Sequence, residues 1–234
     1  MTTPNPQSKR RAPATPLRQR LKEERKSVYR KAISQAAERV FAEKGTDRSR
    51  MREIAAEAGI SLGTLYGVID GKESLFFGIH LSRMREFLEC IRAARDSCEG
   101  TLESHLAVLR QGGEYFLSRP DFLRMCCHDG YGWAAGFPAS ASGSDIWNEG
   151  VSIPRDLFAR GIVEGIYLDD DPDLLARKML ALKQVELTHW VDKGMEVDHA
   201  VVLDRLESQF VRAFCTREGQ MRSSRSSHQP GEST

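Results

Sequence analysis

Cys126, Cys127 and His128 form the group with the most evident chemical potential in the 234-residue sequence. A cysteine beside a histidine base is an arrangement of nucleophilic enzymes, but the two side chains must meet in a cleft with a third orienting group. Zinc would need four ligands, and the sequence has no second cluster to complete such a site. We therefore expect these residues to be buried and satisfied, with a redox sensor as the first alternative and a thiol enzyme as the second.

No other motif indicates catalysis or cofactor binding. The sequence contains no glycine-rich phosphate loop, G-x-S-x-G or H-E-x-x-H motif. Its five cysteines are an odd number without regular spacing, which is typical of reduced thiols; they are Cys90, Cys98, Cys126, Cys127 and Cys215. We expect no enzyme activity, no cofactor, no metal and no disulfide.

The charge distribution points to a polyanionic partner for the first third of the chain. Residues 1–85 hold 18 Lys and Arg against 9 Asp and Glu, whereas residues 86–234 hold 16 against 24. Part of this excess lies in the Pro/Ser/Thr-rich residues 1–22, which cannot form a core. Without them the ratio up to position 85 is 12 to 9, so charge alone does not decide.

The elements that must position these residues are helices. Tyr29, Ile33, Ala37 and Val40 share one helical face and predict a first helix of about six turns that ends near Gly45. Further stripes of helical spacing cover residues 77–91, 102–116 and 203–214, and no convincing strand pattern occurs, so the fold class is all-α. No apolar run is long enough to span a bilayer and no secretory signal is evident, which predicts a cytoplasmic protein without membrane contact.

Residues 49–69 predict two short helices around a tight turn. Ser49 is placed to cap a helix that reaches Ala58, and Gly59 provides a left-handed residue for the turn. Ser61 is placed to cap a second helix from Leu62 to about residue 69. This is a helix-turn-helix, in which the small Gly63 and Thr64 allow the backbone to approach a DNA major groove closely.

The run AISQAAERVFAEKGTDRSRMREIAAEAGISLGTLYGVIDGKESLF, residues 32–76, resembles the N-terminal domain of TetR-type (tetracycline-repressor-like) transcriptional regulators. The matching residues are Ala36, Ala37, Phe41, Gly45, Ile54, Ala55, Ala58 to Ser61, Gly63 to Tyr66, Lys72 and Glu73. The resemblance implies a three-helix DNA-binding domain and a larger helical domain for ligand binding and dimerisation. It implies double-stranded DNA, a palindromic operator, as the partner.

The resemblance also implies particular DNA contacts. Ser49 and Arg52 match contacts from the second helix, Thr64 lies on the recognition helix, and Tyr66 and Lys72 match a phosphate-contacting hydroxyl and ammonium. The full predicted set is Ser49, Arg50, Arg52, Ser61, Gly63, Thr64, Tyr66 and Lys72. For Arg50 a solvated position is the alternative, and for Tyr66 a core position between the third and fourth helices. Gly67 and Val68 replace residues that commonly contact the DNA backbone in this family.

The ligand region is expected around residues 101–165. Gly112 and Gly113 interrupt a helical pattern, which indicates close packing or space for a guest. Residues 122–147 combine aromatic with small side chains. This composition suits a mostly apolar pocket for an unknown small-molecule effector. The lining candidates are Tyr115, Phe116, His128, Tyr131, Trp133 and Trp147, with a purely structural core as the alternative for each.

The last two apolar helices, over residues 174–190 and 203–214, predict a homodimer. Their residues are apolar on more than one face, and two-fold DNA half-sites require a matching protein dimer. The alternative is that both stripes face the subunit's own core.

Four segments follow: a disordered basic arm (1–22), a helix-turn-helix domain (23–77), a ligand-binding and dimerisation domain (78–216) and a disordered tail (217–234). The predicted function is a ligand-responsive DNA-binding regulator, most simply a repressor. The competing functions are a small-molecule-binding protein with a non-functional N-terminal domain, and a Cys/His thiol enzyme.

Overall fold

The computed structural model describes residues 16–129 and 144–226, which fold into ten α-helices. The helices are α1 (Pro16–Arg48), α2 (Met51–Glu57), α3 (Leu62–Tyr66), α4 (Lys72–Asp96), α5 (Thr101–Leu117), α6 (Pro120–Asp129), α7 (Ser144–Val163), α8 (Pro172–Asp192), α9 (His199–Phe214) and α10 (Arg217–Ser226). Within these ranges no strand forms, and an isolated bridge pairs Tyr167 with Cys215. The all-α prediction is confirmed. None of the described helices is both long and apolar enough to cross a bilayer.

Helices α1 to α3, called the head below, form the predicted helix-turn-helix. Ile33, Phe41, Ile54 and Leu65 are fully buried and hold the three helices together. Gly59 has φ 67°, so the left-handed turn between α2 and α3 is confirmed. Gly45, with φ 73°, breaks the helical backbone within α1, as its position in the sequence indicates.

The capping prediction is right for α3 and wrong for α2. Ser61 Oγ accepts a hydrogen bond from the Thr64 N–H at 3.0 Å, as expected of an N-cap. The N-cap of α2 is Arg50, because Ser49 turns back into the protein and donates to the Gly45 carbonyl at 2.6 Å. The end of a helix leaves carbonyls without intrahelical partners, and Ser49 satisfies one of them.

Helices extend into both termini beyond the predicted boundaries. Residues 16–22 were expected to be disordered but belong to α1, because Pro16 suits a first helical position and the following residues are rich in Leu, Arg, Gln, Lys and Glu. Residues 217–226 form α10, where Thr216 Oγ1 accepts from the Gly219 N–H at 3.1 Å. Arm residues 1–15 and tail residues 227–234 lie outside the described residues.

Helices α4 to α10, called the body below, share a core with the head. One cluster of buried residues runs from Ile33 of α1 through Phe76 and Met84 of α4 to Leu203 of α9. Helix α6 also packs along α1. The predicted boundary at residue 77 therefore does not separate two hydrophobic cores.

The apolar stripes of α8 and α9 face mostly inward within one chain, as the alternative interpretation held. Their buried members are Leu175, Met179, Leu187, Trp190, Leu203, Leu206, Phe210 and Phe214. Three large apolar side chains remain exposed on these helices, namely Leu174 and Val185 of α8 and Val201 of α9. A dimer contact through α8 and α9 would therefore use a narrower surface than the sequence pattern indicates.

Candidate nucleic-acid interface and ligand cavity

The exposed surface of α3 carries small and polar groups. The hydroxyls of Ser61 and Thr64 lie 2.8 Å apart, and Gly63 between them is exposed. Tyr66 ends the helix with 54% of its surface exposed, so the alternative that it bridges α3 and α4 inside the core is wrong. The hydroxyls of Ser61 and Thr64 and the backbone of Gly63 lie at the N-terminal end of α3. These groups can approach a DNA major groove, as a recognition helix requires.

Two arginines of the predicted set lie at the N-terminal end of α2, Arg50 as its N-cap and Arg52 in its first turn. Arg50 and Arg52 are both exposed. The Arg50 N–H donates to the Glu53 carboxylate at 3.1 Å, and Glu53 also pairs with Lys44 at 2.9 Å. The hydrogen bond from Lys44 lowers the pKa of Glu53, which therefore stays ionised beside the N-terminus of α2.

Ser49 and Lys72, two residues of the predicted DNA-binding set, use their polar groups for bonds within the protein. Ser49 is buried, and its hydroxyl is used inside the head. The Lys72 ammonium donates to three backbone carbonyls, at 2.7 Å to Thr46, 3.3 Å to Asp47 and 3.2 Å to Ser49. An ammonium has three donors, so all of them are used in joining the start of α4 to the end of α1 and to Ser49.

The body contains a narrow cavity between α4, α5, α7 and α8. Its free space is about 20 Å³, enough for about one water molecule. The lining side chains are nearly all apolar: Met84, Phe87, Phe116, Trp147, Gly150, Leu180 and Lys183. A larger ligand must move some of them, and the unbranched side chain of Met84 adapts most easily.

The cavity includes two of the six predicted lining residues, Phe116 and Trp147. Tyr115 points instead to α4, where its hydroxyl donates to the Arg83 carbonyl at 2.7 Å and to Glu86 at 3.1 Å. His128 lies at the end of α6 and donates from Nε2 to the Ala42 carbonyl of α1 at 3.1 Å. Neither residue lines this cavity. Tyr131 and Trp133 lie outside the described residues.

The two glycines of α5 serve close packing. A side chain at Gly113 would place its Cβ 2.6 Å from Leu203 Cδ2 of α9. At Gly112 the Cβ would lie 3.4 Å from Phe87 Cε2 and 3.6 Å from the Lys183 ammonium. Gly112 therefore gives Phe87 and Lys183 the room to meet beside the cavity.

Lys183 is the charged residue among those that line the cavity, and the sequence pattern did not single it out. It is buried, and burial lowers the pKa of its ammonium to about 8. A signal was present, because Lys183 follows Met179 and precedes Leu187 by one turn each on the buried face of α8. A lysine within an apolar stripe is exceptional unless it has a partner.

The cysteines do not form a reactive site within the described residues. Cys126 is buried, and burial raises the pKa of the Cys127 thiol. The thiol of Cys127 lies 3.8 Å from Thr188 Oγ1, while His128 is bonded to α1. The five cysteines are thiols and do not pair in disulfides. The described residues contain no group of His, Cys, Asp and Glu that could hold a metal ion.

Besides the bonds of Lys72, a cluster of polar side chains joins the head to the body. Arg83 of α4 forms two hydrogen bonds with Glu38 of α1, at 2.9 and 3.1 Å, and a third with Glu86 at 3.0 Å. Glu86 also accepts from Tyr115 of α5. Burial raises the pKa of Glu38 despite the neighbouring guanidinium, because a carboxylate loses hydration there. We call Glu38, Arg83, Glu86 and Tyr115 the interhelical clamp.

Comparison with known proteins agrees with the fold of both parts. Residues 33–79 match the family model described as bacterial regulatory proteins, tetR family. No curated protein matches the chain. Similar solved structures include three with TM-scores of 0.63 to 0.65 with this chain.

The first of these is the transcriptional regulator FadR from Bacillus subtilis in complex with stearoyl-CoA, which has 19% identity and a TM-score of 0.63 over 77% of this chain and 96% of its own. The second is the ketosteroid transcriptional regulator KstR2 of Mycobacterium tuberculosis, with 22% identity and a TM-score of 0.64 over 80% and 95%. The third is the regulator PfmR from Thermus thermophilus, with 18% identity and a TM-score of 0.65 over 77% and 97%. At these identities the likeness concerns the fold.

A helix-turn-helix head with an exposed third helix, set on a larger helical body, defines a helix-turn-helix transcription regulator. The family match makes the class of the head specific: residues 33–79 match the tetR family of bacterial regulatory proteins, and the described residues share the fold of solved regulators of that family.

Proposed function

We propose that the protein is a dimeric repressor that binds a palindromic operator and is released from it by a small, largely apolar ligand. The proposal rests on the contacts of α4, which reach both the head and the cavity. Lys72 at its start bonds to the end of α1, and Met84 and Phe87 on the same helix line the cavity. At 1.5 Å per residue these points are roughly 20 Å apart, so one rigid element joins the ligand cavity to the head.

Release follows from the geometry of a two-fold operator. Two recognition helices must enter major grooves roughly 34 to 36 Å apart, so a pivot of α4 misplaces them. A ligand that fits only the wrongly spaced form lowers DNA affinity, and DNA lowers ligand affinity by the same factor. The cavity holds about one water molecule, so any larger ligand must displace its walls, among them α4.

The apolar character of the ligand is supported by the lining and by the relatives. Six of the seven lining residues are apolar or glycine. One relative was solved with stearoyl-CoA, and another is named a ketosteroid regulator. Both names describe molecules with large apolar parts.

The DNA contacts in this proposal come from Arg50, Arg52, Ser61, Gly63, Thr64 and Tyr66. To test them, operator duplexes would be selected from a random library with the full chain and their affinities measured. Arg52→Ala should weaken operator binding by about 1 to 3 kcal/mol and relax base preference. Arg177→Ala on α8, which removes an exposed Arg–Asp pair of the body, is the matched control.

A full chain that selects no preferred duplex would favour the alternative of a binding protein with a non-functional head. Equal operator affinity for Arg52→Ala and the control would remove the proposed contact.

The dimer is proposed to form through the exposed strip of α8 and α9. Val185 is 66% exposed there, and Val163, 89% exposed at the end of α7, provides a control. Val185→Glu should shift wild-type dimers toward monomers in sedimentation, whereas Val163→Glu should not. Leu206 is unsuitable for this test because it is fully buried within one chain. A monomeric wild type at micromolar concentration, with and without operator, would contradict the dimer.

A further inference from the structure

Lys183 places a cation at the wall of an otherwise apolar cavity. Only 5% of the residue is exposed. Its ammonium lies 4.8 Å from the ring centre of Phe87 and 5.6 Å from that of Phe116. Met84, Trp147 and Leu180 complete its surroundings in the cavity. The ammonium is thus held on aromatic faces rather than by a carboxylate.

No carboxylate of the described residues lies within 4 Å of this ammonium. Glu186 is one turn farther along α8, but Arg205 Nε and Gln209 Nε2 of α9 each bond to its oxygens at 2.6 Å. The carboxylate of Glu186, on the same face of α8 as Lys183, is therefore already bonded to side chains of α9. Contact with aromatic rings compensates only part of the lost hydration of an ammonium.

A buried cation with no anion is destabilising, whereas the same cation next to a ligand anion forms a strong, charge-assisted hydrogen bond. The apolar walls around it would hold a hydrocarbon or aromatic skeleton. One cation in a cavity this narrow suits one negative charge on a compact group. It does not suit the several phosphate charges of a coenzyme A thioester.

We propose that the ligand of this cavity is an apolar molecule with a single carboxylate, and that Lys183 binds that carboxylate. The inference rests on the proposed function in treating the cavity as the ligand site. It goes further by naming the chemical class of the ligand and the residue that selects it.

The test compares acids with their own methyl esters, using decanoate and 2-naphthoate as skeletons and decanoyl-coenzyme A as the thioester. Calorimetry with the full chain, without DNA, should show at least one acid binding about tenfold or more tightly than its ester, as expected for a hydrogen bond to a charged group. Lys183→Met and Lys183→Gln should remove this preference, so that acid and ester bind alike. Lys178→Met, which removes an exposed ammonium of the same helix, should preserve it.

The ratio of acid to ester affinity is measured within each variant, so a general loss of folding lowers both values and leaves the ratio interpretable. An unchanged ratio in both Lys183 variants would overturn the inference. So would esters or the thioester binding wild type at least as tightly as the acids.

Operator binding distinguishes this failure from that of the proposed function. If an acid binds through Lys183 but leaves operator affinity unchanged, the inference stands and the repressor mechanism fails. If a neutral ligand releases the operator equally from wild type and Lys183→Met, the mechanism stands and the inference fails.

Discussion

Single residues show how polar groups of this chain acquire roles that their sequence neighbours do not reveal. Lys72 matches a phosphate-contacting lysine by its position, yet its ammonium bonds three carbonyls more than twenty residues earlier in the chain. Ser49, Tyr115 and His128 likewise bond to backbone groups of other elements. Such hydrogen-bond partners are determined by packing between elements, so the spacing of residues along the sequence does not predict them.

Lys72 provides a test of its structural role. Lys72→Met should lower the free energy of unfolding by about 1 to 3 kcal/mol without DNA, because three carbonyls lose a charged donor. Urea unfolding of the full chain measures this. Lys44→Met removes an exposed ammonium paired with Glu53 and should cost less than about 1 kcal/mol. If both variants are equally stable, the bonds from the Lys72 ammonium to the end of α1 do not contribute to stability.

His105 predicts a loss of stability in acid. It is fully buried in the body, 2.9 Å from the Tyr167 hydroxyl, and burial lowers its pKa to about 3. Between pH 6.5 and 3 the unfolded imidazole binds a proton that the folded one does not. Stability is therefore retained above pH 6.5 and falls as the pH decreases through this window.

Replacement of His105 should lower, by up to one, the number of protons that the unfolded protein binds in excess of the folded protein. His105→Leu should reduce the slope of unfolding free energy against pH between about 6.5 and 5 by about 1.4 kcal/mol per pH unit. His189→Leu, at an exposed position of α8, is the control. Parallel curves for wild type and His105→Leu would show that the buried imidazole does not set the acid limit.

At the scale of elements, the sequence was most informative where local rules determine structure. The helix-turn-helix follows from the apolar spacing around Ile54 and Leu65 and from the left-handed turn at Gly59. The arm was less predictable, because Pro16 and the helix-forming residues after it extend α1 without an apolar stripe. The cavity was found in part: Phe116 and Trp147 were recognised as aromatic, but the convergence of α4, α5, α7 and α8 was not readable from the chain.

The interhelical clamp provides a prediction about coupling between elements. Glu38→Gln keeps the shape of the side chain but removes the charge that Arg83 binds, so α4 can move relative to α1 without breaking an ion pair. The factor by which ligand weakens operator binding, commonly about 5 to 150-fold in coupled systems, should fall several-fold. Ligand affinity in the absence of DNA should change little, because Glu38 is outside the cavity.

Glu89→Gln, an exposed change on α4, is the control for this experiment. Calorimetric titration of the ligand with and without operator gives the coupling factor of each variant. Equal factors for wild type, Glu38→Gln and Glu89→Gln would exclude the clamp from the transmission of the signal.

The whole molecule combines a basic head, an acidic body and a hydrophobic cluster that continues from the head into the body, beside a second cluster within the body. The excess of acidic over basic residues after position 85 keeps the body from competing with the head for DNA. The shared core from Ile33 to Leu203 means that the head cannot tilt independently of the body. A ligand held in the body is therefore expected to act on the head through displacement of packed helices, rather than through a flexible linker.

The basic arm is the last feature whose effect belongs to the whole complex with DNA. Arg18 and Arg20 lie exposed in the first turns of α1, and Lys9, Arg10 and Arg11 precede the described residues. Each phosphate neutralised contributes about 0.9 to the slope of log affinity against log salt concentration, because condensed counterions are released. Replacement of Lys9, Arg10 and Arg11 by Gln should thus weaken operator binding at low salt. The slope should become shallower by about 0.9 for each phosphate that the variant no longer neutralises.

The preferred operator sequence should change little, since phosphate contacts position a protein without reading bases. Arg177→Gln on the body is the control for the loss of an arginine charge far from the head. Fluorescence anisotropy over a range of salt concentrations gives both affinity and slope. If the triple variant matches wild type in both, Lys9, Arg10 and Arg11 make no phosphate contacts, and the salt dependence must arise from residues after them.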